Sequence, residues 1–291
     1  MANQFNYGGQ AVIEGVMMRG QKNMVTVVRR SNGELTADKQ PLPAIYTGWM
    51  RKTPLLRGII VLIEVLSLSI KTLIFSANVS LEEEGETVGG WFTWIVMGGS
   101  LVLAVGVFFV VPLFLTGLFN IGSGVVFHIV EGLIRLALFI AYLKLVTLMP
   151  DIKRVFAYHG AEHKVVNAFE AGMPLEVEAV KKYSTAHTRC GSSFIFGVLI
   201  IAILVFALIG LPSLWIMVLA RILLIPVIAA LSYEVMYFGS KYRSKLLARV
   251  VLAPGLWLQS LTTKEPDDGQ LEVALTALRS VMEADQGGDA T

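Results

Sequence analysis

Residues Trp91–Phe119 read WFTWIVMGGSLVLAVGVFFVVPLFLTGLF, twenty-nine residues without a charged side chain. A bilayer core of about 30 Å is crossed by roughly twenty apolar residues in a helix, so this stretch is long enough to span one. Trp91 and Trp94 stand at its start, where amphipathic rings suit a membrane interface. After Asn120–Gly124 comes a second long apolar helix, Val125–Met149, ended by Pro150 and Asp151. Ser193–Leu211 and Ser213–Gly239 form another helical pair, turned at Gly210-Leu211-Pro212. Bulk composition agrees. Of 291 residues, 55% are hydrophobic and only 16% charged, against roughly 25% charged in soluble domains. Mean hydropathy is +0.66. The N-terminus lacks a basic-then-apolar run, so no cleaved signal peptide is expected. A net charge of +2 singles out no partner class. The single cysteine, Cys190, cannot form an internal disulfide and is a free thiol or a metal ligand.

Leu55–Ala77 is a helix of another kind. Arg57, Glu64 and Lys71 recur every seven residues with Ser67 on the same stripe, so one polar line runs along an otherwise apolar cylinder. An acidic loop, Glu82–Glu86, follows it. Residues 1–54 are polar and strand-like: Met24–Arg29 and Glu34–Lys39 flank Ser31-Asn32-Gly33, a hairpin turn whose Asn and Gly accept positive φ. The glycines of Gly8–Gly20 suggest a backbone packed closely against something, or an ordinary turn. As a phosphate loop the segment fails, since it lacks the Gly-Lys-Ser/Thr ending. No nucleic-acid motif is present.

Orientation follows from lysine and arginine, which stay on the cytosolic side. Residues 1–54 hold seven, 151–192 six and 239–264 five. All three segments are therefore expected in the cytosol, which requires an even number of crossings between residues 54 and 151. Three helices lie there, so one does not cross. The charged stripe selects Leu55–Ala77 as an interfacial helix; the alternative lets it span and makes part of 120–149 re-entrant. The expected fold is an all-α polytopic membrane protein with a small β-containing cytosolic part. Residues 1–54 form a β-hairpin region, 55–77 an amphipathic or re-entrant helix, and 91–149 a first transmembrane hairpin. Residues 150–192 form a cytosolic metal-binding segment, 193–239 a second hairpin, and 240–291 a cytosolic helical tail. In that tail, polar cap residues at Thr262–Asp268 precede a stripe of Leu271, Leu275, Leu278 and Met282, which marks a packed helix.

The chemistry concentrates in Tyr158-His159-Gly160-Ala161-Glu162-His163-Lys164, followed by His187-Thr188-Arg189-Cys190. Three of the four histidines thus fall within 29 residues. On a helix, His159 and His163 lie one turn apart on one face, a spacing that grips one zinc ion. His-x-x-Glu-His is also the inverted zincin order, in which Glu162 serves as a base toward water at the metal. His187 and Cys190 would supply two more ligands of a type zinc accepts. Four protein ligands would make the site structural and leave Glu162 beside it; with one position open, Glu162 becomes a general base.

Together, Gly8–Arg19 (GGQAVIEGVMMR), Tyr158–Glu170 (YHGAEHKVVNAFE), His187–Phe194 (HTRCGSSF) and Trp257–Val273 (WLQSLTTKEPDDGQLEV) resemble the YqhQ-like family of bacterial membrane proteins. The family carries the label of metal-dependent enzyme without an assigned reaction. The resemblance implies a metal at His159, His163, His187 and Cys190, and a bacterial cytoplasmic membrane as the location.

A second constellation lies among the apolar helices. His128, Glu131 and Arg135 share one helix face, and Arg221 sits at a similar depth. Charges there cost at least ~2.5–3.5 kcal/mol each unless paired, so they should face one another, as a helix-register pin or as a proton or ion path. Tyr233 and Glu234 could approach the metal or simply end their helix. Three functions remain open: a zinc-dependent hydrolase with Glu162 as base, acting on a membrane-associated substrate; a zinc-stabilised scaffold; and a transporter using the buried charges. The scaffold would be an accessory factor of protein insertion, meeting a translocon, ribosome or anionic lipid.

Overall fold

The computed structural model describes residue 5 and residues 7–82, 89–122, 124–210, 213–242 and 244–287. Most of the acidic loop at Glu82–Glu86, and Leu211 and Pro212 of the expected turn, lie outside the described residues.

The chain opens with an antiparallel meander in the order β1 (Gly8–Val12), β2 (Gly15–Arg19), β3 (Asn23–Arg29) and β4 (Leu35–Pro41). The β3–β4 turn is the one read from Ser31-Asn32-Gly33, with Gly33 at φ +88°. The β1–β2 hairpin was not anticipated. Its strands are short, and its turn uses Glu14 in a left-handed conformation, φ +50°, where Gly or Asn is the usual signal. Both faces of the sheet are covered. Val16, Met18, Val25 and Val27 pack with residues of α5 (Pro150–Glu170) and α11 (Asp268–Gln286). Met17 and Met24 pack against Ile60 and Leu68 of α1 (Leu56–Leu81), and Val12 and Val28 against Val79. That double burial explains why β3 reads as a continuous apolar run rather than an alternating one. The edge strand β4 alternates, with Lys39 and Pro41 among its exposed positions, a charge and a proline that discourage pairing with another chain.

α1 therefore lies along the sheet for most of its length. Its polar line is the docking face: Glu64 pairs with Arg19 at 3.0 Å and with Arg51, and Gln10 bonds Thr72 at 2.6 Å and Ser69 at 2.5 Å. Arg57 pairs with Glu234. Lys71 and Ser67, expected on the same stripe, are exposed. The buried polar positions are Arg57, Glu64, Thr72 and Ser76. At about 100° per residue Thr72 and Ser76 stand well round the helix from Glu64, so the line winds around α1 as its partner changes from Glu234 to the sheet. Ile63, Val65, Leu66 and Leu73 are exposed on other faces.

The α11 helix starts at Asp267 with a capping box, as its sequence signalled. Near its other end Asp285 accepts backbone N–H bonds from Gln21 (2.6 Å), Lys22 (3.0 Å) and Asn23 (3.1 Å).

The remaining helices are apolar. α2 (Gly90–Val105) continues through a π turn, Gly106–Val110, into α3 (Val111–Gly117). α4 is Gly124–Val146, α7 Gly191–Ile209, α8 Leu214–Leu223, α9 Ile225–Lys241 and α10 Leu246–Thr262, with the short α6 at Val177–Val180. Among the described residues, four helices are long and apolar enough to cross a membrane: Leu56–Leu81, Thr93–Gly117, Gly124–Val146 and Gly191–Ile209. The α8–α9 pair would be a fifth, bent by 51°. The sequence read Ser213–Gly239 as one helix. It breaks ahead of Pro226, whose ring and missing N–H prevent a continuous ladder. α10, overlooked inside the basic tail, carries Pro254 in its interior.

The four charged or ionisable groups expected to meet do so. Glu131 receives Arg221 through Nε at 2.9 Å and Nη2 at 2.5 Å, Arg135 at 2.5 Å and His128 at 2.9 Å. None of the four is more than 2% exposed. Arg135 also donates to the Phe108 carbonyl at 2.8 Å. Phe108 lies four residues before Pro112, so its carbonyl lacks the usual helical donor and the guanidinium supplies one. Because one carboxylate holds two guanidiniums, Glu131→Gln should cost more than Arg135→Leu or Arg221→Leu alone, on the order of 3–5 kcal/mol. Detergent-solubilised melts should show that cost partly relieved when one arginine is removed as well. Equal stability of all these variants would mean the groups are solvated.

Candidate metal centre

α5 begins at Pro150, where proline's fixed φ suits the first turn, and runs to Glu170. His159 and His163 fall one turn apart, with ring centroids 4.4 Å from each other. Gly160 between them lets the helix press against the chain leaving α10: a Cβ there would strike the Lys264 carbonyl. Lys264 donates to the Phe156 carbonyl at 2.9 Å across that contact. The His159 Nδ1 donates to the Thr262 carbonyl at 2.8 Å. Thr262 ends α10, where carbonyls have no helical partner. The His163 Nδ1 donates to the Thr185 carbonyl at 2.5 Å.

These two bonds fix the tautomers. A carbonyl can only accept, so each Nδ1 carries the hydrogen and each Nε2 keeps its lone pair. His159 Nε2 lies 3.1 Å from the Cys190 sulfur. His163 Nε2 is buried without a hydrogen-bond partner among the described residues. Cys190 is the N-cap of α7, its sulfur accepting from the Ser192 N–H at 3.4 Å. The ligand atoms of His159, His163 and Cys190 all lie within 4.8 Å of one another. Two imidazole lone pairs, one orphaned, facing a thiol form a donor set that fits a metal ion. The carbonyls on the far nitrogens are the usual orienting partners of metal-binding histidines.

His187, expected as a fourth ligand, stands beside the group. Its ring centroid is 5.6 Å from that of His163, while its Nε2 faces Glu170 at 3.3 Å. Its backbone is held by Gln259, which accepts from the His187 N–H at 2.9 Å and donates to its carbonyl at 2.7 Å. Gln259 is fully buried and also donates to Ser193 at 2.7 Å. Nothing in the sequence pattern singled out Gln259, Thr185 or Thr262; a polar amide among the apolar residues of α10 was the one available signal.

Glu162 is 4% exposed. One oxygen accepts the Gly9 N–H at 3.0 Å and the other lies 3.5 Å from His163 Nε2. The close approach suggested by the N-terminal glycines is realised here, since a Cβ on Gly9 would crowd the Met17 carbonyl and Glu162. Nearby, Arg154 pairs with Glu14 at 2.6 Å and holds that carboxyl below the usual range. Burial, with Glu14 adding to it, pushes the Tyr158 hydroxyl up. Tyr233 and Glu234 engage Arg57 rather than the centre. His128, Glu131, Arg135 and Arg221 form their own group on α4 and α8.

A helical protein with a small sheet, a bundle of apolar helices and a His–His–Cys cluster is thus defined. The chain belongs to the family described as "Protein of unknown function (DUF1385)", whose model matches residues 53–284. It is 38% identical over 296 residues to "Uncharacterized protein YqhQ" of Bacillus subtilis (strain 168), across 95% of this chain and 92% of that protein. No solved structure matches the chain.

Protein purified without chelator should carry about one metal ion per chain by elemental analysis, as one tetrahedral set implies. His159→Ala with His163→Ala should lose it. Undiminished metal in that double variant would refute the site.

Proposed function

We propose that this protein is a membrane-embedded, zinc-dependent hydrolase whose centre faces the cytosol and acts on a membrane-associated substrate. One observation carries the reading: two imidazoles with clamped Nδ1 atoms turn their Nε2 lone pairs toward one thiol, with the Glu162 carboxylate beside them. Three protein ligands leave a coordination position open, the arrangement of catalytic rather than structural zinc. Zinc held there supplies Lewis acidity and makes water nucleophilic near neutral pH. The chain's own residues do the rest. Gly9 fixes one Glu162 oxygen; the other takes a proton from the attacking water and returns it to the leaving group. The Thr262 and Thr185 carbonyls keep both imidazoles in the ligating tautomer.

The embedding is supported by packing. The sheet, α5 and α11 share one hydrophobic core, so all three lie on one side of any membrane. Crossings between them must then be even in number. α2–α3 with α4 make two, and α7 with the bent α8–α9 pair make two more. α1, docked along the sheet, lies in the interface. The lysine and arginine distribution supports a cytosolic location for that side, and for both chain termini, at a bacterial cytoplasmic membrane.

The scaffold reading draws on burial: His163 is 1% and Cys190 6% exposed, and the group ties α5, α7 and α10 together. In that case the partners are a membrane-protein complex, a translocon or a ribosome. Transport is disfavoured because the Glu131 cluster is closed by its own pairings.

Two measurements test these readings. A cysteine at the exposed Met173 should react with impermeant maleimide only from the cytosolic side; reaction from outside would invert the topology. For the chemistry, Glu162→Gln should abolish complementation of a gene-loss phenotype while metal content and melting temperature hold. If Glu162→Gln complements fully and Cys190→Ala loses the folded protein, the centre is structural, because metal binding and folding are then one equilibrium.

A further inference from the structure

Between α7, α9 and α10 the outer surface of the bundle sinks into a groove of about 630 Å³. That is within the roughly 300–1,000 Å³ of small-molecule sites. Its walls are apolar: Leu204 and Leu208 from α7, Val235 and Phe238 from α9, Ala248 and Val251 from α10. The charged or hydroxyl-bearing residues lining it are Glu234, Tyr242 and Lys245. Glu234 is already neutralised by Arg57, so the groove's remaining charge is positive.

That charge is concentrated at the turn from α9 to α10. The Lys241 ammonium lies 5.7 Å and the Lys245 ammonium 5.1 Å from the centroid of the same Tyr242 ring. Both lysines are exposed, and neither has a carboxylate partner among the described residues. α10 is a short apolar helix on both sides, with Leu246, Leu247, Val250 and Trp257 exposed and Leu252 and Leu258 buried, so its outer surface suits hydrocarbon contact. An apolar groove lined by one uncompensated cation, Lys245, with a second, Lys241, over the same Tyr242 ring, is complementary to a molecule with an anionic head and a hydrocarbon tail. Basic pockets between membrane helices on the cytosolic side bind such head groups.

We propose that this groove holds one anionic phospholipid. Its acyl chain lies between α7, α9 and α10, and its phosphate meets Lys245 and Lys241. The site rests on the membrane embedding proposed above and is independent of the metal. Lysine serves here as a compact point charge whose stem runs along apolar surface while its head stays in water.

The test uses the full chain in nanodiscs containing equal phosphatidylglycerol and phosphatidylcholine, followed by native mass spectrometry. One phosphatidylglycerol per chain should be retained over phosphatidylcholine by roughly tenfold or more, as two lysines at a head group imply. Lys241→Glu with Lys245→Glu, both exposed positions, should abolish the preference. Val251→Trp, which fills the groove, should reduce retention of either lipid. Equal retention of both lipids by the wild type and the lysine variant would show ordinary annular lipid and overturn the proposal. So would undiminished retention by Val251→Trp, or a lipid-free dimer burying the groove. Release of the protein from membranes by carbonate without detergent would refute the embedding itself. A detergent-requiring protein without lipid preference would refute the groove alone.

Discussion

The Asp285 carboxylate, near the end of α11, accepts hydrogen bonds from three successive backbone N–H groups in the β2–β3 turn. Its partners lie 262 to 264 residues earlier in the chain. Around it Val16, Val25 and Val27 from the sheet pack with Leu271, Leu278 and Val281 from the helix. Everything between is threaded out from this shared core and back to it. The apolar helices lie in the chain between the two halves of this core, and α5, which completes it, is fixed between α4 and α7. Its histidines thereby stand at the boundary between core and bundle, where the N-terminus of α7 offers Cys190 and the C-terminus of α10 offers its last carbonyl.

Much of this was legible in the residues. The His-x-x-Glu-His spacing placed two imidazoles on one helical face, and a lone cysteine in a polar segment completed the group. The Asn-Gly turn of β3–β4 and the Asp267 capping box were local signals, and local signals transmit well from sequence. What was missed depended on tertiary context. Glu14 takes a left-handed turn without a glycine because Arg154 and Tyr158 hold its side chain, and neither is near it in sequence. His187 shares a short turn with Cys190, yet Gln259 and Glu170 set its direction from two other elements. The seven-residue recurrence of Arg57, Glu64 and Lys71 failed at its third member because the surface facing α1 changes along the helix: Arg57 meets Glu234, Glu64 meets Arg19, and Gln10 stands off to one side. Thr72, not Lys71, meets the sheet.

Prolines shape the bundle in two ways. Pro226 separates α8 from α9 and sets the bend that lets Arg221 approach Glu131. Pro112 frees the Phe108 carbonyl, and Arg135 takes it. A backbone acceptor that would be unsatisfied in an apolar setting thus becomes an anchor for a buried cation, and the aromatic rings of Phe109 and Phe206 lie within 5.1 Å and 5.5 Å of that guanidinium. Pairing of this kind stabilises the register of helices that have little hydrophobic driving force to associate in lipid.

The position of α11 in the chain has a consequence for biosynthesis. Chains emerge N-terminus first, and domains commonly fold as they appear. The four strands are made early, but one face of their sheet has only α5 for cover until α11 leaves the ribosome, after every apolar helix has been synthesised. The core therefore closes only after the whole bundle has been made, and a nascent chain stalled in α10 would leave Val16, Val25 and Val27 without the cover of α11.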